Sequence, residues 1–490
     1  MGALLPALLI LGAGEALLTA LGLGSQPHRL DRGFDDRAAY LVPDPEVVGG
    51  WRTQMFDGAA PERTVAPRDG RRRVVLFGGS NTESFPHALL EATLNERATP
   101  GSRGWEVLNL GRNGYGSERV AILFEQAMAL EPDVVVIYSG HNEFVEAGFR
   151  AELAEGLAPA LRSAIEVASR LRTFNALCAA LRPEGGAREL RPKPEAWNWE
   201  YKRFEDLPYD ATLERFERYR ENLERMVRSA SKRGIDVVLC TVISNALAPP
   251  FATTADAHLP DADRVDLERH LDDALKRVPE RFRILYSNAA SDRLHVNDWQ
   301  VPARLAGDAR VPTLRRWPAP VRAGRALLPA PERWSPRAWR VLAAQEAFFA
   351  RELAAAERSA LAGVQTACKA ALALQSDHPL ANFRFGLTAW LLGDDAGAVE
   401  YLDRAARYDR APRKGNGVSN AIVRAVAPNA QGAVRLFDVA ALYAQRAPDG
   451  VIGYELMKDE CHLHERAYEV LMYDFADFLA SALPANGDGE

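Results

Sequence analysis

The 490-residue chain is short of what metal and disulfide frameworks require. Its four cysteines, Cys178, Cys240, Cys368 and Cys461, are scattered and form no C-x-x-C pair, which argues against a zinc ribbon or a disulfide scaffold. No G-x-x-x-x-G-K loop is present to cradle nucleotide phosphates, and no H-E-x-x-H or other metal-ligand pattern appears. A dominant charge is also lacking. Sixty Lys and Arg against 66 Asp and Glu give a formal net charge of -6, so there is no broad basic footprint for nucleic acid. The local cluster Arg71-Arg72-Arg73 reads as a solvated loop ahead of a strand. The chemistry is therefore expected from side chains alone, with no cofactor and no metal.

Long apolar runs are rare, with one exception. Residues 1–24 are almost wholly apolar, from Leu4 through Leu11 and again from Ala16 to Leu21. About 20 such residues would span a bilayer. Glu15 interrupts the run and would cost on the order of a few kcal/mol at mid-membrane. No Lys or Arg precedes the stretch, so a signal-peptide n-region is missing. The expectation is a membrane anchor or uncleaved signal; a cleaved signal and a buried helix are the alternatives.

The rest of the chain is organised around strand-like runs. Residues 25–70 read as an irregular lead rich in Asp, Arg, Pro and Gly. Apolar runs at 74–78, 105–110, 134–138, 235–242 and 434–439 alternate with helical patterns, which predicts an α/β fold with a parallel sheet. One helix is predicted from Ser117 to Leu130, and a last one from about Glu465 to Leu483. Residues 250–335 allow no firm assignment. Within 367–409, Gly386, Ala389, Ala398, Leu402 and Ala405 fall at the spacing of a tetratricopeptide-like helix pair. The predicted segments are 1–24 as anchor or signal, 25–70 as lead, 71–250 as the first part of a catalytic domain, 251–360 as a mostly helical insertion, 361–412 as tetratricopeptide-like helices, and 413–490 as the second part.

Four blocks carry candidate chemistry. The run Val74 to Phe77 enters Gly78-Gly79-Ser80, which delivers a serine at a strand end. Asn109 to Gly114 follows the second run, Gly140-His141-Asn142-Glu143 the third, and Asp459-Glu460-Cys461-His462 lies far downstream. A serine hydroxyl needs a base, and the base needs a partner that fixes its tautomer. His462 and Asp459 can supply both, with His464 as the nearest rival base. A second Asp-x-x-His, Asp292 to His295, lacks a following amphipathic helix and is the weaker pair. Cys461 neighbours His462, but a residue beside the base is expected to point away from the nucleophile.

In this order the blocks resemble the SGNH, or GDSL, esterase/lipase family over about residues 70–250 and 415–485. The likeness extends to a bacterial subgroup with Gly-His-Asn-Glu-Phe at Gly140 to Phe144 and with helical repeats before the histidine. Two positions depart from the family pattern: Gly79 stands where Gly-Asp-Ser is common, and Ala467 where glycine is usual. The resemblance implies a three-layer α/β/α, flavodoxin-like fold. It makes Ser80 the nucleophile, Asp459 and His462 its partners, and Ser80, Gly114 and Asn142 the oxyanion hole, with Gly111 and Gly116 competing for the role of Gly114. Glu143, Arg413 and Asn420 become candidate substrate contacts, although Glu143 also reads as a loop brace and Arg413 as a surface ion pair. The implied activity is hydrolysis of an O-acyl ester of an envelope glycan or lipid on the extracytoplasmic side of a bacterial membrane. Acyl transfer to a glycan is one alternative. A tetratricopeptide-type protein-binding module with a relic site is another.

Overall fold

The computed structural model describes residues 4–21, 40–53, 64–98, 102–147, 168, 171–180, 209–251, 254–256, 258–286, 353–429, 433–447, 449–453, 456–457 and 459–483. In chain order the first elements are α1 (Leu4–Ala20), β1 (Leu41–Pro43), β2 (Trp51–Thr53), β3 (Thr64–Val65), β4 (Arg72–Gly78), α2 (Ser80–Glu83), α3 (His87–Arg97), β5 (Trp105–Asn109), α4 (Ser117–Ala127) and β6 (Val134–Tyr138). Then come α5 (Arg172–Ala180), α6 (Tyr209–Ser231), β7 (Asp236–Cys240), α7 (Asp261–Arg277) and α8 (Arg283–Tyr286). The last are α9 (Ala355–Leu374), α10 (Pro379–Leu392), α11 (Asp395–Arg407), α12 (Gly417–Asn429), β8 (Val434–Phe437), α13 (Val439–Arg446) and α14 (Glu465–Ala482). The chain forms two compact units, one of residues 1–70, 118–132 and 146–200, the other of 71–117, 133–145 and 201–490.

The second unit is an α/β fold. Its five strands are all parallel, in the order β5-β4-β6-β7-β8. Numbered within the sheet this is 2-1-3-4-5, the flavodoxin-like order, whose crevice opens between the first and third strands. Here those are β4 and β6, paired from Val74↔Val134 to Gly78↔Tyr138. Val74, Leu76, Val134, Val136 and Tyr138 share one core with Leu90 and Leu94 of α3 and with Leu471, Phe475 and Leu479 of α14. Side chains alternate along a strand, so Val75, Phe77, Val135 and Ile137 face the other side. These strands are buried on both faces, which is why they read as unbroken apolar runs. Helices α6 and α12 pack against each other and reach the sheet at β7 and β8.

A second core in this unit joins α7 through α11. Here α10 starts on His378, whose side chain accepts the Ala381 N–H, with Pro379 as the first helical residue. It ends on Gly393 at φ 85°, and Asp394 then caps α11 through the Gly397 N–H. A Cβ at Gly386 would lie 2.8 Å from the Leu402 nitrogen, so α10 and α11 approach backbone to backbone. The small and large residues expected at this crossing, Ala389, Ala398, Leu402 and Ala405, are buried. The structure also supplies α7, in a stretch the sequence left unassigned. Residues 287–352, including His295 and Asp292, lie outside the described residues.

The first unit corrects the expected irregular lead: β1, β2 and β3 form an antiparallel sheet. Within the same unit, α1 packs on α5. The Glu15 carboxylate accepts hydrogen bonds from the Arg172 N–H (2.6 Å), the Thr173 N–H (3.0 Å) and the Thr173 hydroxyl (3.1 Å). It therefore caps α5 rather than standing alone in an apolar helix. Among the described residues no helix is long and apolar enough to cross a membrane; α1 itself is 17 residues long.

Candidate active site

Strand β4 ends in Gly78-Gly79, and Ser80 opens the single turn α2. Two glycines are needed here for space. A Cβ at Gly78 would collide with the Tyr138 carbonyl and the Thr82 hydroxyl. A Cβ at Gly79 would collide with the side-chain nitrogen of Asn142 and would lie 2.9 Å from the Tyr115 carbonyl. The departure at Gly79 thus has a steric basis: an aspartate would displace Asn142.

Across the crevice, the Ser80 hydroxyl lies 2.7 Å from His462 Nε2, and His462 Nδ1 lies 2.8 Å from Asp459 Oδ2. The other Asp459 oxygen accepts the backbone N–H groups of Cys461 (2.9 Å) and His462 (2.6 Å). Burial by itself would raise the Asp459 carboxyl. The His462 charge and these hydrogen bonds outweigh it and hold the group below the usual carboxylate range. The anionic carboxylate can then hold a proton on His462 Nδ1, leaving Nε2 as an acceptor for the serine proton.

Asn142 follows β6 and donates from its amide nitrogen to the Tyr115 carbonyl (3.1 Å). An amide carries two N–H groups, so one remains for a substrate oxygen. Gly114 is buried at φ 71°, in the left-handed region. Its competitors differ. Gly116 shows no positive φ, and Gly111 is required because a Cβ there would strike the backbone of Thr82 and Glu83. The structure therefore links Ser80 to Asp459 through His462 and sets Asn142 against the Gly79-Ser80 turn.

The other candidates fall elsewhere. Glu143 accepts the Ser117 N–H (3.1 Å) and hydroxyl (2.6 Å), so it braces the start of α4. Both ends of the Asn420 amide pair with the backbone of Val242, at 2.8 and 3.0 Å. Arg413 stacks its guanidinium 4.5 Å over the Phe251 ring and interacts electrostatically with Glu460. His464 is buried and precedes α14, while His462 meets the serine.

Three further residues surround the site: Asn245 ends the run Thr241 to Asn245 that fits the resembled subgroup, His141 stands in the Gly140 to Glu143 block, and Lys414 alone is not marked in the sequence. Asn245, after β7, donates its side-chain amide to the Asp459 carbonyl (3.0 Å) and its backbone N–H to the Glu460 carbonyl (3.1 Å). Lys414 is buried and donates to the carbonyls of Asn245 (2.6 Å) and Ala248 (2.9 Å). Burial pushes its pKa down to about 8. His141 accepts the Gly415 N–H on Nδ1 (2.9 Å), and burial, with His462 nearby, lowers its pKa to about 3. Nothing short-range marks Lys414: the two carbonyls it meets lie 169 and 166 residues away. Contrary to the sequence reading, metal-ligating atoms do gather: those of Asp459, Cys461 and His462 lie within 4.8 Å of one another.

No protein-family model matches the chain, and no curated protein matches it. Solved structures do. One is a GDSL-like lipase of Bacteroides thetaiotaomicron, 16% identical, with a TM-score of 0.19, covering 37% of this chain and 53% of that one. Another is a proposed acylhydrolase of Bacteroides fragilis, also 16% identical, with a TM-score of 0.20, covering 46% of this chain and 71% of the other. The chain spans about half the length of the first of these. Both superpositions are too poor to transfer a role to any residue.

Proposed function

We propose that the chain is a serine hydrolase of the SGNH/GDSL kind that cleaves carboxylic esters through an acyl-serine intermediate. The observation that carries this reading is the relay from Ser80 through His462 to Asp459, with contacts of 2.7 and 2.8 Å. His462 takes the Ser80 proton as Oγ attacks the ester carbonyl. It returns that proton to the leaving alcohol, and water then attacks the acyl-serine with His462 again as base. The second amide N–H of Asn142, with the backbone N–H groups of Ser80 and Gly114, receives the negative oxygen.

The finer reading is an O-acyl ester of an envelope glycan or lipid, met at a membrane to which residues 1–24 attach the enzyme. Its support is the apolar amino-terminal segment, with Leu11 and Leu17 of α1, and Leu21 just after it, exposed. The pair α10 and α11, read as tetratricopeptide-like, would then be an insertion between strands β7 and β8, with a protein partner as its expected ligand. Fluorophosphonate labelling followed by peptide mapping tests the chemistry. The label should map to Ser80 and disappear in Ser80→Ala. A label that persists in that variant rules the assignment out.

A further inference from the structure

We infer that Asp459, Cys461 and His462 form an inhibitory site for a thiophilic divalent cation of the zinc type. The inference rests on the serine-hydrolase reading, because it concerns the nitrogen that Asp459 holds. Cys461 Sγ lies 3.4 Å from His462 Nδ1, the ring nitrogen that faces Asp459 Oδ2 at 2.8 Å. One nitrogen, one sulfur and one carboxylate oxygen thus converge on a single region, a donor set that zinc accepts.

The spacing fits with a small adjustment. Zn–S near 2.3 Å and Zn–N near 2.0–2.1 Å at a tetrahedral angle place the two donors about 3.6 Å apart. The S···N separation here is 3.4 Å. For a Zn–O bond of similar length the N···O separation is about 3.4 Å. Asp459 Oδ2 would therefore draw back from its present 2.8 Å. It can do so by rotating about its Cβ–Cγ bond, with Oδ1 resting near the two backbone N–H groups that hold it. Of the three side chains His462 is the one that meets solvent, 23% exposed, while Asp459 and Cys461 are buried.

Occupation switches the enzyme off by moving one proton. As the ion binds Nδ1, the ring proton shifts to Nε2, the thiol proton leaves to solvent, and Zn–N and Zn–S bonds form with no change of oxidation state. A neutral imidazole bound through Nδ1 carries its proton on Nε2. It then has no lone pair there for the Ser80 hydroxyl.

The test uses the full chain with p-nitrophenyl acetate and a zinc titration, and Cd²⁺ as a spectroscopic probe. Zinc should inhibit the wild-type enzyme, and a chelator should restore it. In Cys461→Ala the half-inhibiting concentration should rise at least about tenfold, since even outer partners of a metal site are worth about 10–100-fold. Cd²⁺ should give a thiolate charge-transfer band in the wild type that is lost in Cys461→Ala and in His462→Ala is weakened. Equal zinc sensitivity of wild type and Cys461→Ala, or an unchanged cadmium band, overturns the site. The band is read without turnover. It therefore separates a failed metal site from a failed hydrolase reading, which metal-free fluorophosphonate labelling of Ser80 tests on its own.

Discussion

The side-chain nitrogen of Asn142 fills the space that any side chain at Gly79 would need. The two residues come from the ends of β4 and β6, paired neighbours at the centre of the sheet. A parallel sheet brings such strand ends together at its carboxyl edge, so the Asn142 amide and the Gly79-Ser80 turn are positioned by the same register. Asn142→Ala should lose about 10²–10³ in kcat, equivalent to roughly 3 kcal/mol of transition-state stabilisation. Gly79→Ala should lose a comparable amount by pushing the amide aside. Steady-state kinetics on a short-chain ester checks both. A Gly79→Ala enzyme at full rate would show that Asn142 holds no position critical to turnover.

His462 meets the serine through one ring nitrogen and Asp459 through the other. Asp459→Asn should keep the fold but favour the wrong tautomer, with a loss of about 10³–10⁴ in kcat. His462→Ala should fall at least as far, and the double variant little further, because such residues act as a unit. His295→Ala should keep most of the activity. Additive losses from Asp459 and His462, or a large loss at His295, would move the base elsewhere.

How much of this was readable beforehand depends on range. Ser80, Gly114 and Asn142 each follow an apolar run, and a strand end is a local signal that survives without any knowledge of partners. His462 is marked in the same local way, by an acid three residues before it and a helix after it. The three strands at 41–65 were missed because two or three residues cannot display an alternating pattern. Helix α7 did carry a signal, with Leu267, Leu271 and Ala274 buried along one face. Its dense Asp and Arg positions and the surrounding prolines obscured that signal. Lys414 carries none, since a buried amine is identified only by the distant carbonyls it meets.

Glu15 illustrates the same limit in the apolar segment. It looked like an obstacle to burial in lipid, yet its carboxylate is taken up by the first N–H groups of α5. The full chain should float with phospholipid vesicles in a density gradient, and a chain beginning at Gln26 should not. The shorter chain should keep its ester hydrolysis, because loss of one helix cap costs only about 1 kcal/mol. All candidate catalytic residues also lie beyond residue 70. Equal flotation of the two chains would remove residues 1–24 as the anchor.

Acid should destabilise the protein through histidines that are buried in neutral form. His378 caps α10 by accepting the Ala381 N–H on Nδ1 (3.2 Å). Burial, followed by the nearby charges of Arg410 and Arg384, lowers its pKa to about 3, and burial does the same for His141. In the unfolded chain each imidazole titrates near pH 6.5. Between about pH 6.5 and 3 the unfolded chain therefore holds a proton that the folded chain refuses. The stability each group contributes is complete above that window and is lost as pH falls through it, at up to about 1.4 kcal/mol per pH unit. His378→Asn keeps a cap acceptor and removes the titration. Chemical denaturation at pH 7.5 and pH 5 should therefore show a smaller loss for the variant than for the wild type. The carboxylates are common to both proteins, so the difference isolates this one imidazole. Equal losses would mean that His378 takes up its proton as readily in the folded state as in the unfolded chain, and at pH 5 the cap would then have to be made by some other acceptor.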